Sequence, residues 1–206
     1  LCDWSSDVCS SDLGANGFYG YEVMDSCRPT PEIETGDADL SLLSYLDCLE
    51  HSFQHYQERV SDVDFQDTFG YLAFHTPFGG LVKGAHRAMM RKLKQVPPAE
   101  VEDDFRKRLE RSLHYPQQIG NVYSGSLYLS LAGVIQLGQY PHPKRIGLFS
   151  YGSGCCSEFF SGVSDVSSQA AITDMQIGLD LQTRHPLSME EYEQLIKLNR
   201  LIKYDA

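Results

Sequence analysis

Phe69-Gly70-Tyr71-Leu72-Ala73-Phe74 runs directly into His75-Thr76-Pro77-Phe78-Gly79-Gly80, and a helical pattern follows from about Leu81 to Val96. The first six residues form an apolar run of strand length. Proline and the paired glycines stop any regular element after it. Taking ~100° per residue, Val82, Ala85, Met89, Leu93 and Val96 fall on one side of the following helix. Pro97-Pro98 closes that helix. A strand, a stiff loop and an amphipathic helix in this order predict an α/β fold.

The same alternation extends in both directions. Upstream, Leu42, Leu46, Leu49, Phe53, Tyr56 and Val60 make one apolar stripe, predicting a helix from a cap at Asp37 or Asp39 to about Val60. Downstream, a charged helix is expected over about Ala99 to Leu113, with Glu100, Glu102, Asp103 and Asp104 placed favourably for its dipole. Residues from about Ser124 to Gly138 are apolar or small all round, which predicts a buried helix. Arg145 to Tyr151 reads as a strand, Gly152-Ser153-Gly154 as a tight turn, and Cys155 to Val163 as the returning strand. Ala170 to Leu181 alternates weakly and reads as one more strand. Ser188-Met189-Glu190-Glu191 is a capping box that opens a last helix. Strands and helices alternate without internal repeats, so the fold class is α/β with a mixed sheet.

The chain has 206 residues, enough for one ordinary domain, and a net charge of −11, which argues against a general nucleic-acid binder. No apolar run approaches the ~20 residues of a membrane span. Residues 1–13 are set apart from 14–206. They show no helix or strand period and no signal-peptide core, they resemble the translation of a sequencing adapter, and they are expected to be disordered. The remaining cysteines, Cys27, Cys48, Cys155 and Cys156, have no metal-ligand spacing, and a reduced cytoplasmic setting is the natural reading. The charge is uneven: from Thr68 to Ala99 there is no Asp or Glu, and Lys83, Arg87, Arg91 and Lys94 lie within about 80° on one helix face. That stripe is either a solvated face or a landing site for a phosphate or an acidic protein.

Three stretches have the chemistry of a site. His75, between a strand and a Gly-rich loop, has an imidazole able to donate near neutral pH, or is a structural loop residue. Asn121, in Gly120-Asn121-Val122-Tyr123-Ser124-Gly125-Ser126, can donate to a carbonyl; alternatively it or Ser124 caps the next helix. Ser150-Tyr151-Gly152-Ser153-Gly154 can offer backbone N–H groups to an anion, or is an ordinary hairpin turn.

Taken together, Phe74-His75-Thr76-Pro77-Phe78, Gly120 to Tyr128 and Phe149 to Gly154 closely resemble three motifs of the hydroxymethylglutaryl synthases, in family order. Asp25-Ser26-Cys27-Arg28-Pro29 is similar to that family's Asp-x-x-[Lys/Arg]-Pro segment, and the likeness covers roughly residues 16 to 200. The resemblance implies a thiolase-like fold. This chain would supply the second half, with a mixed sheet between helical layers, and so only part of a five-layer architecture.

It also implies a reaction. A Cys takes an acetyl group from a thioester, a Glu removes a methyl proton, and the enolate attacks the ketone of a 3-oxoacyl thioester. Carried over by motif, His75 polarises or protonates that ketone, Asn121 holds the acceptor's carbonyl, the Ser153 N–H helps form an oxyanion hole, and Asp25 supports the site. The family's Cys and Glu lie upstream of the matched motifs, so the chain alone is expected to be inactive.

Gly80 stands where mevalonate-type members have Lys, and the run Gly79 to Arg87 looks like the branch that adds β-branches to polyketides on acyl carrier proteins. Lys83 and Arg87 are the residues expected at the coenzyme A or carrier protein. No cofactor is implied beyond the coenzyme A or phosphopantetheine of the thioester substrates, no metal, and no nucleic-acid or membrane partner; full-length members are commonly homodimers. Two readings compete with the polyketide one: a mevalonate-pathway synthase, and a non-catalytic carrier-protein-binding module.

Overall fold

The structure, a computed structural model, describes residues 10–11, 15–30 and 33–199. In chain order the elements are strands β1 (Ser10–Ser11), β2 (Gly17–Gly20), β3 (Ser26–Thr30) and β4 (Ile33–Gly36), helix α1 (Ala38–Arg59), strand β5 (Tyr71–Phe74), helices α2 (Gly79–Leu93) and α3 (Pro98–Arg108), a 3-10 turn (Glu110–Leu113), helices α4 (Pro116–Ile119) and α5 (Gly125–Leu137), strands β6 (Lys144–Gly152) and β7 (Cys156–Ser164), and helices α6 (Val166–Asp174), α7 (Ile177–Gln182) and α8 (Met189–Asn199).

The sheet is mixed. β5 runs parallel to β6, with Tyr71 opposite Ile146 and Phe74 opposite Phe149. β6 turns back into antiparallel β7, and the outer edge of β7 takes both β2 and β1. Alternation sorts the side chains into two cores. Leu72, Phe74, Phe149, Tyr151 and Phe159 join Tyr45, Leu49, Phe53 and Tyr56 of α1 and Val82, Ala85 and Met89 of α2. Tyr71, Ala73, Ile146 and Leu148 face the opposite way, onto Leu127, Val134 and Ile135 of α5 and Ile172 of α6. The sheet therefore lies between helical layers, as the strand period of two requires. β2 lies so close to α1 that a Cβ on Gly17 would sit 2.0 Å from the Ser52 carbonyl oxygen, so only glycine fits there.

Several expectations hold and others do not. Asp37 caps α1, its side chain accepting from the Asp39 and Leu40 N–H groups. At α8, Ser188 and Glu191 form the expected capping box. Ala170 to Leu181 is helical, not a strand. Asp165 accepts from the Ser167 and Ser168 N–H groups while the Asp165 N–H donates to the Ser168 hydroxyl, a helix start that the weak alternation hid. The charged helix stops at Arg108 and tightens into the 3-10 turn. α5 is buried on most sides but leaves Tyr128 and Leu137 exposed.

Within residues 1–13, only Ser10 and Ser11, strand β1, are among the described residues. Ser10 and Ser11 pair with Val163 and Gly162, because β7 offers unpaired backbone groups beyond β2; the remainder of that segment lies outside the described residues. Among the described residues no helix is long and apolar enough to cross a membrane.

Candidate active site

The C-terminal ends of parallel β5 and β6 open onto a cleft of about 730 Å³, walled on its far side by β3, β4 and the start of α1. Ligands of α/β sheets commonly bind at such strand ends. His75, Asn121 and Ser153 all line it, together with Cys27, Arg28, Leu42, Tyr45, Phe78, Tyr123 and Tyr151. Three stretches separated by dozens of residues in the chain therefore meet, as their joint reading requires.

His75 is held from three sides. Its backbone N–H donates to the Phe149 carbonyl at 2.7 Å, extending the β5–β6 ladder by one step. Its carbonyl accepts from the Tyr45 hydroxyl at 2.7 Å. Its Nδ1 lies 2.9 Å from Ser126 Oγ. Burial holds the imidazole far below its ordinary value, at about 4, although a hydrogen bond to the Tyr123 backbone opposes the shift. The ring is thus neutral at pH 7 and can donate from one nitrogen only.

Asn121 Oδ1 accepts from the Tyr123 N–H at 2.9 Å. Neither Asn121 nor Ser124 caps α5 through its side chain. With its oxygen engaged, the Asn121 amide nitrogen is the end left to donate into the cleft.

Asp25 lies 1% exposed, behind the cleft rather than on its wall. Its Oδ1 accepts from the N–H groups of Ser26 and Gly154, both at 2.9 Å, and its Oδ2 from the Tyr151 hydroxyl at 2.6 Å. Its oxygens are occupied in holding the turn that carries Ser153. Gly154 has φ of +122°, where an L side chain would be strained. Burial and the neighbouring Asp25 carboxylate push the Tyr151 phenol well above its usual value.

Lys83 and Arg87 do not line this cleft. The acids absent from residues 68–99 arrive from elsewhere in the fold. Lys83 pairs with Glu102 of α3 at 2.8 Å, and Lys94 with Asp64 at 2.6 Å and Asp67 at 3.3 Å. Arg87 and Arg91 line a separate groove with Pro98, Val101 and Glu102. The basic stripe is therefore half neutralised, which chain-local charge counting does not see.

Cys48 and Cys155 are buried with their sulfurs 3.5 Å apart, and burial pushes the Cys48 thiol up to about 12, so it is a poor nucleophile. Cys27 reaches the cleft wall from β3. Sequence reading missed Tyr45, Ser126 and Tyr151 as site residues. The signal for Ser126 was present: with Ser130 it puts two hydroxyls one turn apart on the apolar helix α5.

A neutral imidazole and an amide thus share one cleft with a turn rich in backbone N–H groups. Residues 87–204 match the family described as hydroxymethylglutaryl-coenzyme A synthase C terminal, a little over half of the chain, which therefore belongs to the hydroxymethylglutaryl-coenzyme A synthase family. The polyketide biosynthesis 3-hydroxy-3-methylglutaryl-ACP synthase PksG of Bacillus subtilis (strain 168) is 53% identical over 198 residues, covering 96% of this chain and 47% of that protein. The hydroxymethylglutaryl-CoA synthase of Enterococcus faecalis is 32% identical over 176 residues, covering 84% of this chain and 44% of that protein. Among solved structures, the HMG synthase of the curacin biosynthetic pathway, in complex with apo donor-ACP, superposes with a TM-score of 0.92 at 55% identity, over 97% of this chain and 49% of that one. The chain spans about half the length of these relatives, and its thiolase-like fold corresponds to their C-terminal part.

Proposed function

We propose that this chain is the acceptor-binding half of a synthase that joins an acetyl thioester to a 3-oxoacyl thioester, the latter carried on an acyl carrier protein. The acetyl methyl, deprotonated as an enolate, forms a carbon–carbon bond to the ketone carbon. The ketone oxygen becomes an alkoxide that takes up a proton, and water frees the acetyl-derived end from the enzyme as a carboxylate. The product is of the 3-hydroxy-3-methylglutaryl type.

The observation that carries this reading is His75, neutral and immobilised at the strand ends, with Asn121 on the same cleft. His75 polarises the ketone as charge develops on its oxygen. Asn121 holds the acceptor carbonyl, the Ser153 N–H stabilises a thioester oxygen, and Asp25 with Tyr151 keeps that turn in shape. The likeness to a polyketide-pathway synthase and to a synthase seen with donor-ACP supports the carrier protein as substrate bearer. Arg87, with Arg91, would meet its acidic surface, whereas Lys83 is held by Glu102. The buried Cys48 and Cys155 are unsuited to take the acetyl group.

The test is condensation by the full-length synthase that contains these residues, given acetyl-carrier protein with acetoacetyl-carrier protein or acetoacetyl-CoA. Preference for the carrier-bound acceptor supports the proposal. Preference for acetoacetyl-CoA places the protein with the mevalonate-type synthases, and carrier binding without turnover makes it a binding module.

A further inference from the structure

Two fully buried serines, Ser126 and Ser130, stand one turn apart on α5, in a helix otherwise lined with apolar residues. Both point at the loop that leaves β5. The Thr76 N–H donates to Ser126 Oγ at 2.9 Å, Thr76 Oγ1 donates to the Phe74 carbonyl at 2.8 Å, and Ser130 Oγ lies 3.0 Å from Thr76 Oγ1. Since Thr76 has used its one hydroxyl proton, Ser130 is the donor in the last pair.

The same accounting decides Ser126. Its oxygen receives the Thr76 N–H, so its own proton needs an acceptor, and burial excludes water. Among the described residues His75 Nδ1, at 2.9 Å, is the acceptor within reach. Were Nδ1 to carry the ring proton, two hydrogens would meet and the Ser126 proton would be left buried without an acceptor.

We infer that Ser126 is a positioning residue: it donates to His75 Nδ1 and so fixes the ring proton on Nε2, making His75 a neutral hydrogen-bond donor to the acceptor ketone rather than an imidazolium acid. With Nδ1 engaged by Ser126, Nε2–H is the end left to donate to an arriving ketone oxygen, with no change in protonation. The inference rests on the acceptor-binding reading above.

The test uses the full-length synthase with 15N-labelled histidine and a long-range proton–nitrogen correlation spectrum at pH 7, His75 being identified by the signals lost in His75→Gln. The expected result is an unprotonated Nδ1 and a protonated Nε2. Ser126→Ala is expected to mix the two tautomers and to slow condensation at least ~10-fold relative to acetyl transfer onto the enzyme. Ser126→Thr keeps the hydroxyl and is expected to restore both. A protonated Nδ1 or an imidazolium in the wild type overturns the inference, whether or not Ser126→Ala folds, as does an unchanged tautomer in Ser126→Ala. A wild type with the Nε2–H tautomer and no condensing activity leaves the tautomer assignment standing and sinks the function instead.

Discussion

The Tyr151 hydroxyl donates to Asp25 Oδ2 at 2.6 Å, while Asp25 Oδ1 takes the Gly154 N–H at 2.9 Å. One carboxylate thus grips both ends of the turn whose crest is Ser153. In the full-length synthase, Asp25→Ala is expected to lower kcat for condensation about 10²-fold, because the turn's N–H groups lose their aim. Tyr151→Phe removes one of the two grips and should cost less. Steady-state kinetics on both variants check this, and unchanged rates in Asp25→Ala would mean the turn keeps its shape without the carboxylate.

His75 links folding to pH. Its folded value is held at about 4 by burial, below the ordinary 6.5, so the unfolded chain binds a proton that the folded chain refuses. Stability from this group is full above pH 6.5 and falls as pH drops toward 4, by about 2 kcal/mol between pH 7 and pH 5. Urea unfolding of wild type and His75→Gln at those two pH values should show the variant losing less on acidification. Parallel losses would mean the ring is not held neutral.

The network between α2 and α3 is structural. His86, Asp104 and Arg108 are all buried. Asp104 meets His86 Nε2 at 2.6 Å and Arg108 Nε at 2.8 Å, and Arg108 Nη1 donates to the Phe65 carbonyl at 2.8 Å. Burial would raise the Asp104 carboxyl, but the bonds from His86 and Arg108 win and hold it below its ordinary value. Removing one partner leaves a buried charge uncompensated, so Arg108→Leu should lose about 3–5 kcal/mol. A urea midpoint that does not move would contradict this.

The basic stripe divides into testable halves. Lys83 and Glu102 are partly exposed, so Lys83→Ala should change stability by no more than about 1 kcal/mol and leave KM for a carrier-bound acceptor nearly unchanged. Reversing Arg87 and Arg91 to Glu should raise that KM several-fold at low salt, with the effect fading at high salt and absent for a short pantetheine thioester. Equal effects on both acceptors would make the stripe only a solvated helix face.

The elements with a strong period were legible. Asp37 and the apolar stripe of α1, the β5–α2 junction, and β6 and β7 can all be read from local pattern. Hairpin β3–β4 carries little apolar signal, and its β4 residues are exposed, so nothing local announced it. Of the site, His75, Asn121 and Ser153 were legible as motifs. What escaped was pairing across the fold: Glu102 reaching Lys83 from the next helix, Ser126 reaching His75 across 51 positions, and Asp25 reaching Tyr151 across 126. Such partners are set by topology, which residue order does not display.

His75 shares its N–H with β6 and its carbonyl with Tyr45 of α1, so the atom that would meet the ketone belongs to the sheet more than to the loop after it. The rest of the cleft wall is of another kind: Phe78 and Tyr123 are exposed, on short connections. Insertions or substitutions in those connections can therefore reshape what the cleft admits while the hydrogen-bond donor stays where it is. That separation gives one catalytic frame the freedom to acquire new acceptors without rebuilding its chemistry.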